Sequence, residues 1–273
     1  GFHGSEKVMG TFELLDILAD KRSERVNSKE FLKARLVDIF LGDWDRHTDQ
    51  WRWAKFEYND KEYWHPIPRD RDQAFARFTG VFPKIAAYYI PQMVHFDEEY
   101  PQIEDITWSG RFLDRRYLSE LTKSEWDSVT TFVKNAITDS VIEIAVSKMP
   151  AEYFEIEGTH LINSLKARID KLDKISDEFY LLVNEYIDVF ASEEDDYLEI
   201  ERKNDRYTKI ELYRRDKDTG GKKKAPLYSK LVDSELPKQI RVYLGDGDDK
   251  AIIKGEVGSG PVIRVIGGDD EDV

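Results

Sequence analysis

The sequence predicts an α+β chain: a mainly helical first part with a small hairpin, followed by a small all-β part. Three observations predict it. Up to about residue 188 the apolar residues recur at helical spacing. Beyond that point they fall in short alternating runs of β type. Those runs are separated by turn material rich in Gly, Asp and Lys. We place the boundary at 188, giving a helical domain over 1–188 and a β-rich domain over 189–273. A chain of 273 residues that is 40% hydrophobic can supply a core to each.

In "TFELLDILADKR" Phe12, Leu15, Ile17 and Leu18 share one stripe of a first helix. In "NSKEFLKARLVDIFLG" Asn27 or Ser28 precedes Glu30 as a capping signature. Phe31, Leu32, Leu36, Ile39 and Phe40 follow at helical spacing. Gly42 is placed to stop that helix. "WRWAKFEY" and "KEYWHPI" read as two strands around the turn "NDK". Thr122 and Glu125 form a capping box opening a helix through "TKSEWDSVTTFVKNAITDSVIEIAVSKMP", which Pro150 closes. A third long helix runs from 158 to about 187. Then come seven β runs: "YIDVFAS", "DYLEIERK", "YTKIELYRR", "PLYSKLV", "QIRVYL", "KAIIKG" and "PVIRVIGG". Lys222–Lys224 reads as a solvated hairpin tip.

Charge narrows the function. The chain has 41 basic and 55 acidic residues, net −14, which repels nucleic-acid phosphates and anionic membrane surfaces. With no cysteine, disulfides, zinc–thiolate sites and cysteine nucleophiles are excluded. No apolar run reaches transmembrane length, so this segment does not insert directly into a membrane. The start at "GFHGSEKVMGT", without Met, points to a piece of a longer polypeptide, whose upstream and downstream parts would be its partners.

The chemistry concentrates in "LVDIFLGDWDRHTDQW". Asp43, Asp45, Arg46, His47, Asp49 and Gln50 crowd just past a helix end. A solvated loop with helix-terminal salt bridges would also look like this. However, Trp44, Trp51 and Trp53 flank the cluster and imply partial burial, and a charge withdrawn from water marks either tight pairing or function. The hairpin then returns the chain, and "HPIPRDRDQAF" delivers Asp70 and Asp72. A loop carboxylate, an amide five residues on, a hairpin and a second carboxylate suit phosphoryl transfer. One Asp takes the acceptor's proton; the amide and the later Asp hold Mg²⁺ or Mn²⁺, hard ions that need few protein ligands.

Both motifs resemble atypical protein-kinase-like folds. "GDWDRHTDQW" resembles the Asp-Arg-His-x-x-Asn loop of phosphoinositide kinases and the Asp-x-His-x-x-Asn loops of HipA and CotH kinases. "IPRDRDQAF" resembles the CotH metal segment, Pro-x-Asp-x-Asp followed by Phe. The resemblance implies a kinase C-lobe-like helical domain binding ATP. Asp45 would be catalytic and His47 would support the loop. Arg46 and Gln50 would face the cofactor, and Gln50 with Asp70 or Asp72 would hold the metal. Two departures matter. Gln50 stands where the family has Asn, and the 44 residues before Asp45 are too few for an N-lobe with its phosphate lysine, unless Lys7 or an upstream lysine serves. The implied activity is therefore a phosphotransferase lobe incomplete without an upstream N-lobe. The alternative is a non-catalytic, pseudokinase-like scaffold. The same string is also similar to segments of large envelope proteins of Bacteroidetes-like bacteria, between a metallophosphoesterase-like region and an outer-membrane barrel. That likeness implies the periplasm or cell surface of a Gram-negative bacterium; without it the cytoplasm is the expectation.

A second candidate lies near the end. "LGDGDDKAI" and "IGGDDEDV" recur 22 residues apart, and the first resembles a calcium-binding nonapeptide turn. Asp246, Asp248, Asp249 and Asp269 would be Ca²⁺ ligands, or ordinary turn formers. Arg111, Arg115 and Arg116 either face a phosphate or pair with the acidic surface, Trp108 is a core anchor, and His95 and His160 are packing or surface residues.

Overall fold

The computed structural model describes residues 2–21, 24–58, 61–78 and 89–273. Near the N-terminus, helices α1 (Thr11–Asp20) and α2 (Ser28–Leu41) pack on a four-stranded sheet. Its strands are β1 (Val8–Gly10), β2 (Glu24–Val26), β3 (Trp51–Tyr58) and β4 (Lys61–Pro68), in the order β1-β3-β4-β2. The expected hairpin is thus the centre of a wider sheet. Its turn at Asn59 and Asp60 lies outside the described residues.

Asn27, not Ser28, caps α2, accepting the Glu30 N–H at 3.2 Å. Gly42 ends it at φ +75°, and a Cβ there would lie 2.8 Å from the Phe96 ring, so both conformation and space require glycine.

Helices α3 (Ile103–Thr107), α4 (Arg111–Leu118), α5 (Lys123–Ala136), α6 (Asp139–Val146), α7 (Thr159–Asp170) and α8 (Leu172–Asn184) complete the first part. The two long helices expected from periodicity are each broken. Thr138 captures the Val141 N–H at 3.3 Å and starts α6 afresh, because a hydroxyl able to bond the backbone competes with helix continuation. At Lys171 the backbone tightens, bonding to Arg168 rather than one residue further back, and α8 begins at the next residue. The residues that were to end this helix, Tyr186 and Ile187, open a strand.

The capping box at α5 forms in both directions between Thr122 and Glu125. Thr122→Ala is expected to lower stability by about 1 kcal/mol, read as a lower urea midpoint at constant slope.

One apolar cluster runs from Met9 to Val183 around Phe31, Trp51, Trp53, Trp64 and Trp126; a second runs from Ile187 to Leu244. Trp108 does not join the core; it is 51% exposed and lies under the Arg111 guanidinium, a ring whose face serves a cation rather than a packed layer.

All seven β runs are strands: β5 (Tyr186–Phe190), β6 (Asp196–Arg202), β7 (Tyr207–Arg215), β8 (Lys222–Asp233), β9 (Gln239–Tyr243), β10 (Lys250–Lys254) and β11 (Val262–Ile266). They form two sheets, β10-β6-β7-β8 and β11-β9-β5, the second entirely parallel. Lys222–Lys224 open β8 rather than turning a tip, since Lys222 pairs opposite Arg215 and bonds Glu199 at 2.5 Å. The chain is α+β, and no helix among the described residues is long and apolar enough to cross a membrane.

Arg168 on α7 links helical part and loop. Its guanidinium donates to Phe40 O at 2.8 Å and Ile39 O at 2.7 Å, carbonyls of the last turn of α2, and to Asp97 O and Glu99 O at 3.1 and 3.0 Å. The end of α2, from which the candidate loop departs, is thereby held.

Candidate functional site

Past Gly42 the chain turns back on α2, with Asp43 N bonded to Asp38 O at 2.9 Å, and runs through 43–50 into β3. The antiparallel register of β3 and β4 sets Trp51 opposite Pro68, so residues 69–72 leave the sheet beside residues 43–50. Arg69 N donates to Gln50 O at 2.9 Å, continuing the ladder one step beyond the strands.

Arg46 fastens the two segments. Its side chain is fully buried, stacked over Trp51 with the guanidinium carbon 4.7 Å from the ring centre. Nε donates to Asp38 at 3.1 Å, Nη1 to Asp43 at 3.3 Å, and Nη2 to Gln50 O at 3.1 Å. Nη1 also donates to Arg69 O and, at 3.1 Å, to Asp70 O. Arg46 was expected at a cofactor. Instead each guanidinium nitrogen is bonded within the protein, because a buried fork must satisfy its donors internally.

Asp38, which sequence reasoning missed, is the other centre of this network. It accepts from Arg46 and from Arg71 Nε at 2.9 Å, and Arg35 Nη1 faces it at the longer ion-pair distance of 3.6 Å; Arg35 in turn forks onto Asp114 at 2.7 and 2.9 Å. Arg35 and Asp38 sit three apart on a helix that buries residues on most of its faces. The one available signal was two ionisable side chains interleaved with Leu32, Leu36 and Ile39.

The remaining candidates lie at the rim. The Asp45 carboxylate is partly exposed, 3.9 Å from His47 Nε2. His47 Nδ1 accepts the Asp49 N–H at 3.3 Å and caps the short turn Thr48–Gln50. Asp70 holds a left-handed backbone at φ +45°, and Asp70 and Asp72 are both exposed. Their carboxylates make no ion pair among the described residues. No three His, Asp or Glu side chains are grouped to hold a metal ion among the described residues.

Asp43 is set apart by its environment. It is buried, one carboxylate oxygen has no hydrogen-bond partner among the described residues, and its pKa is pushed up to about 6. Burial is the larger cause and the Asp38 charge the next, against which Arg46 pulls down. Folding therefore favours the protonated carboxyl. That contribution is full below the unfolded pKa of 3.8 and is lost as pH rises through about 6, on the order of 3 kcal/mol in total. Asp43→Asn is expected to remove this fall in stability between pH 4 and 6, as measured by denaturant midpoints at each pH.

The two Gly-Asp turns meet in space, with Leu244 N bonded to Ile266 O at 2.9 Å and β9 parallel to β11. A Cβ on Gly268 would lie 2.0 Å from Gly245 O, so glycine is needed for the close approach. Asp249 is buried and accepts the Asp196 N–H at 2.7 Å. The Asp248 N–H donates to Asp195 at 3.3 Å. Asp246 lies against Glu193, whose carboxyl is raised by burial and by that neighbour. Asp269 is exposed at the end of the second turn.

Arg111, Arg115 and Arg116 do not pair with the acidic surface among the described residues. They lie over Trp108, Tyr186 and Phe190 at 4.0, 4.9 and 3.9 Å. His95 accepts the Phe78 N–H at 2.9 Å, and His160 has a buried ring nitrogen without a hydrogen-bond partner among the described residues. Comparison with protein-family models, curated proteins and solved structures finds no match to this chain.

Proposed function

We propose that the chain is a kinase-like phosphotransferase lobe, completed by an upstream part of its polypeptide. The observation that carries this reading is the join made by Arg46: one buried guanidinium bonds the loop holding Asp45 and the carbonyl of Asp70 across the hairpin. Helix, acidic loop, antiparallel hairpin and second acidic loop follow in the order that nucleotide-phosphate chemistry uses. Asp45 takes the proton of an acceptor hydroxyl, and His47 keeps the loop turned. Gln50 with Asp70 or Asp72 would hold Mg²⁺ or Mn²⁺. These are hard oxygen donors, the Asp70 and Asp72 carboxylates pair with no cation among the described residues, and such ions are satisfied by one or two carboxylates plus water and phosphate. The bound ion would neutralise the phosphate oxygens of ATP.

A second reading, a non-catalytic scaffold module of a larger envelope protein, is favoured by the same arginine's internal use: a fully engaged guanidinium makes a firm joint whether or not chemistry follows. Titration of Mn²⁺ and ATP, followed by electron paramagnetic resonance of free Mn²⁺, separates the two. We expect nucleotide-dependent Mn²⁺ uptake by a form extended upstream, lost in Asp70→Asn or Asp72→Asn and retained in Asp45→Ala. Absence of uptake in both the extended form and this chain leaves the scaffold reading. Uptake indifferent to Asp70 and Asp72 sinks the assignment.

A further inference from the structure

A guanidinium withdrawn from water needs an answering group. Arg35 and Arg46 are answered by carboxylates and Arg168 by four carbonyls. Arg116 on α4 meets neither a carboxylate nor a carbonyl among the described residues, only the Tyr117 hydroxyl. It is half-buried, lies flat over the Phe190 ring at 3.9 Å, and makes no ion pair among the described residues. Burial lowers its pKa, and only the Tyr117 hydroxyl opposes that effect. No carboxylate among the described residues offsets it.

Arg116 lines a cavity of about 160 Å³ at the junction of the helical part with the two sheets. Four carboxylates share the lining, and each is bonded to a group other than Arg116. Asp188 is held by Arg241 at 2.5 and 2.8 Å, Glu24 by the Trp64 indole at 2.6 Å, Asp196 by the Ser192 N–H and hydroxyl at 2.9 Å each, and Glu120 by Ser28. The Tyr228 hydroxyl, also in the lining, is buried without a hydrogen-bond partner among the described residues.

We propose that this cleft binds a small oxyanion, held by the guanidinium of Arg116 with the Tyr228 hydroxyl as a second donor. Stacking one face of the guanidinium on Phe190 leaves the N–H groups that the Tyr117 hydroxyl does not take for the ligand, and a planar fork matches two oxygens of one phosphate or carboxylate. The cavity is smaller than the roughly 300 Å³ at which pockets for drug-sized ligands begin, which fits an ion or a terminal anionic group. The site uses neither residues 43–50 nor 69–72, so it stands apart from the phosphotransfer reading.

The test measures thermal midpoint and ³¹P line width against inorganic phosphate, with chloride at matched ionic strength and acetate as the carboxylate arm. A ligand that binds only the folded state raises the midpoint saturably. We expect this for wild type with phosphate, acetate or both, the two arms telling which anion is preferred. Asp45→Ala should respond as wild type does, Tyr228→Phe should bind about tenfold more weakly, and Arg116→Gln should not respond. Should Arg116→Gln not fold, Arg116→Lys keeps the charge without the fork and should bind more weakly. No saturable response to either anion in wild type, or a response that survives unchanged in the foldable Arg116 variant, overturns the proposal.

Discussion

Replacing Arg46 with Ala is expected to destabilise the protein by about 3–5 kcal/mol, the range for removing one partner of a buried ion pair. Its two carboxylates are not equally exposed to the loss. Asp38 keeps Arg71 at 2.9 Å and Arg35 at 3.6 Å, whereas Asp43 loses its one ion-pair partner among the described residues. Asp43 already titrates near 6, and without Arg46 it should be protonated at neutral pH. Adding Asp43→Asn to Arg46→Ala should therefore restore part of the loss, and the double-mutant cycle should give a coupling of about 1–3 kcal/mol. Arg46→Lys should recover little, since an ammonium cannot span Asp38, Asp43 and three carbonyls. Urea denaturation of wild type, Arg46→Ala, Asp43→Asn, the double variant and Arg46→Lys measures these losses. A loss below about 1 kcal/mol for Arg46→Ala would mean that the loops are held by packing on Trp51 rather than by charge. The same substitution should abolish nucleotide-dependent Mn²⁺ uptake, because the loops holding Asp45 and Asp70 would no longer be tied together.

What could be read from the sequence was local. Asn27, Gly42 and the Thr122–Glu125 pair act on backbone within four residues, so their signals are complete in a short string. Strand alternation is local too, and every β run formed. The breaks at Thr138 and Lys171 were hidden because apolar spacing continues through them, while the competing bonds leave no mark on periodicity. The buried charges were hidden for another reason. Arg35 meets Asp114 79 residues away, and Arg168 meets Phe40 128 residues away. "DWDRH" reads alike whether its arginine is solvated or enclosed. The hairpin did announce that segments 43–50 and 69–72 would leave the sheet side by side, but not that a bond between them would run through the side chain of Arg46. Trp108 shows the converse: a large apolar ring suggests a core, yet here it carries a cation at the surface.

The second large effect is expected at Arg168. Burial pulls its pKa down to about 10, so it remains charged at neutral pH with no carboxylate bonded to it among the described residues. Its compensation is four backbone carbonyls and the faces of Tyr100 and Phe96 at 3.9 and 4.8 Å. Removing the donors strands three acceptors, Phe40 O at the end of α2 among them, while Ile39 O keeps the Gly42 N–H at 3.2 Å; a buried unsatisfied group costs about 1–3 kcal/mol. Some acceptors will reach water after relaxation, so Arg168→Ala should lose on the order of 4 kcal/mol. Arg168→Met separates the terms: it keeps most of the apolar stem between the rings but supplies no donor, and should lose nearly as much as Ala if hydrogen bonding dominates. The consequence for the site is directional. Phe40 and Ile39 precede Gly42, so freeing their carbonyls should fray the last turn of α2 and raise amide exchange from Leu41 to Trp44, while β6 and β7 remain protected. Uniform exchange across both parts would instead mean that Arg168 stabilises the whole molecule without specially holding the loop that carries Asp45.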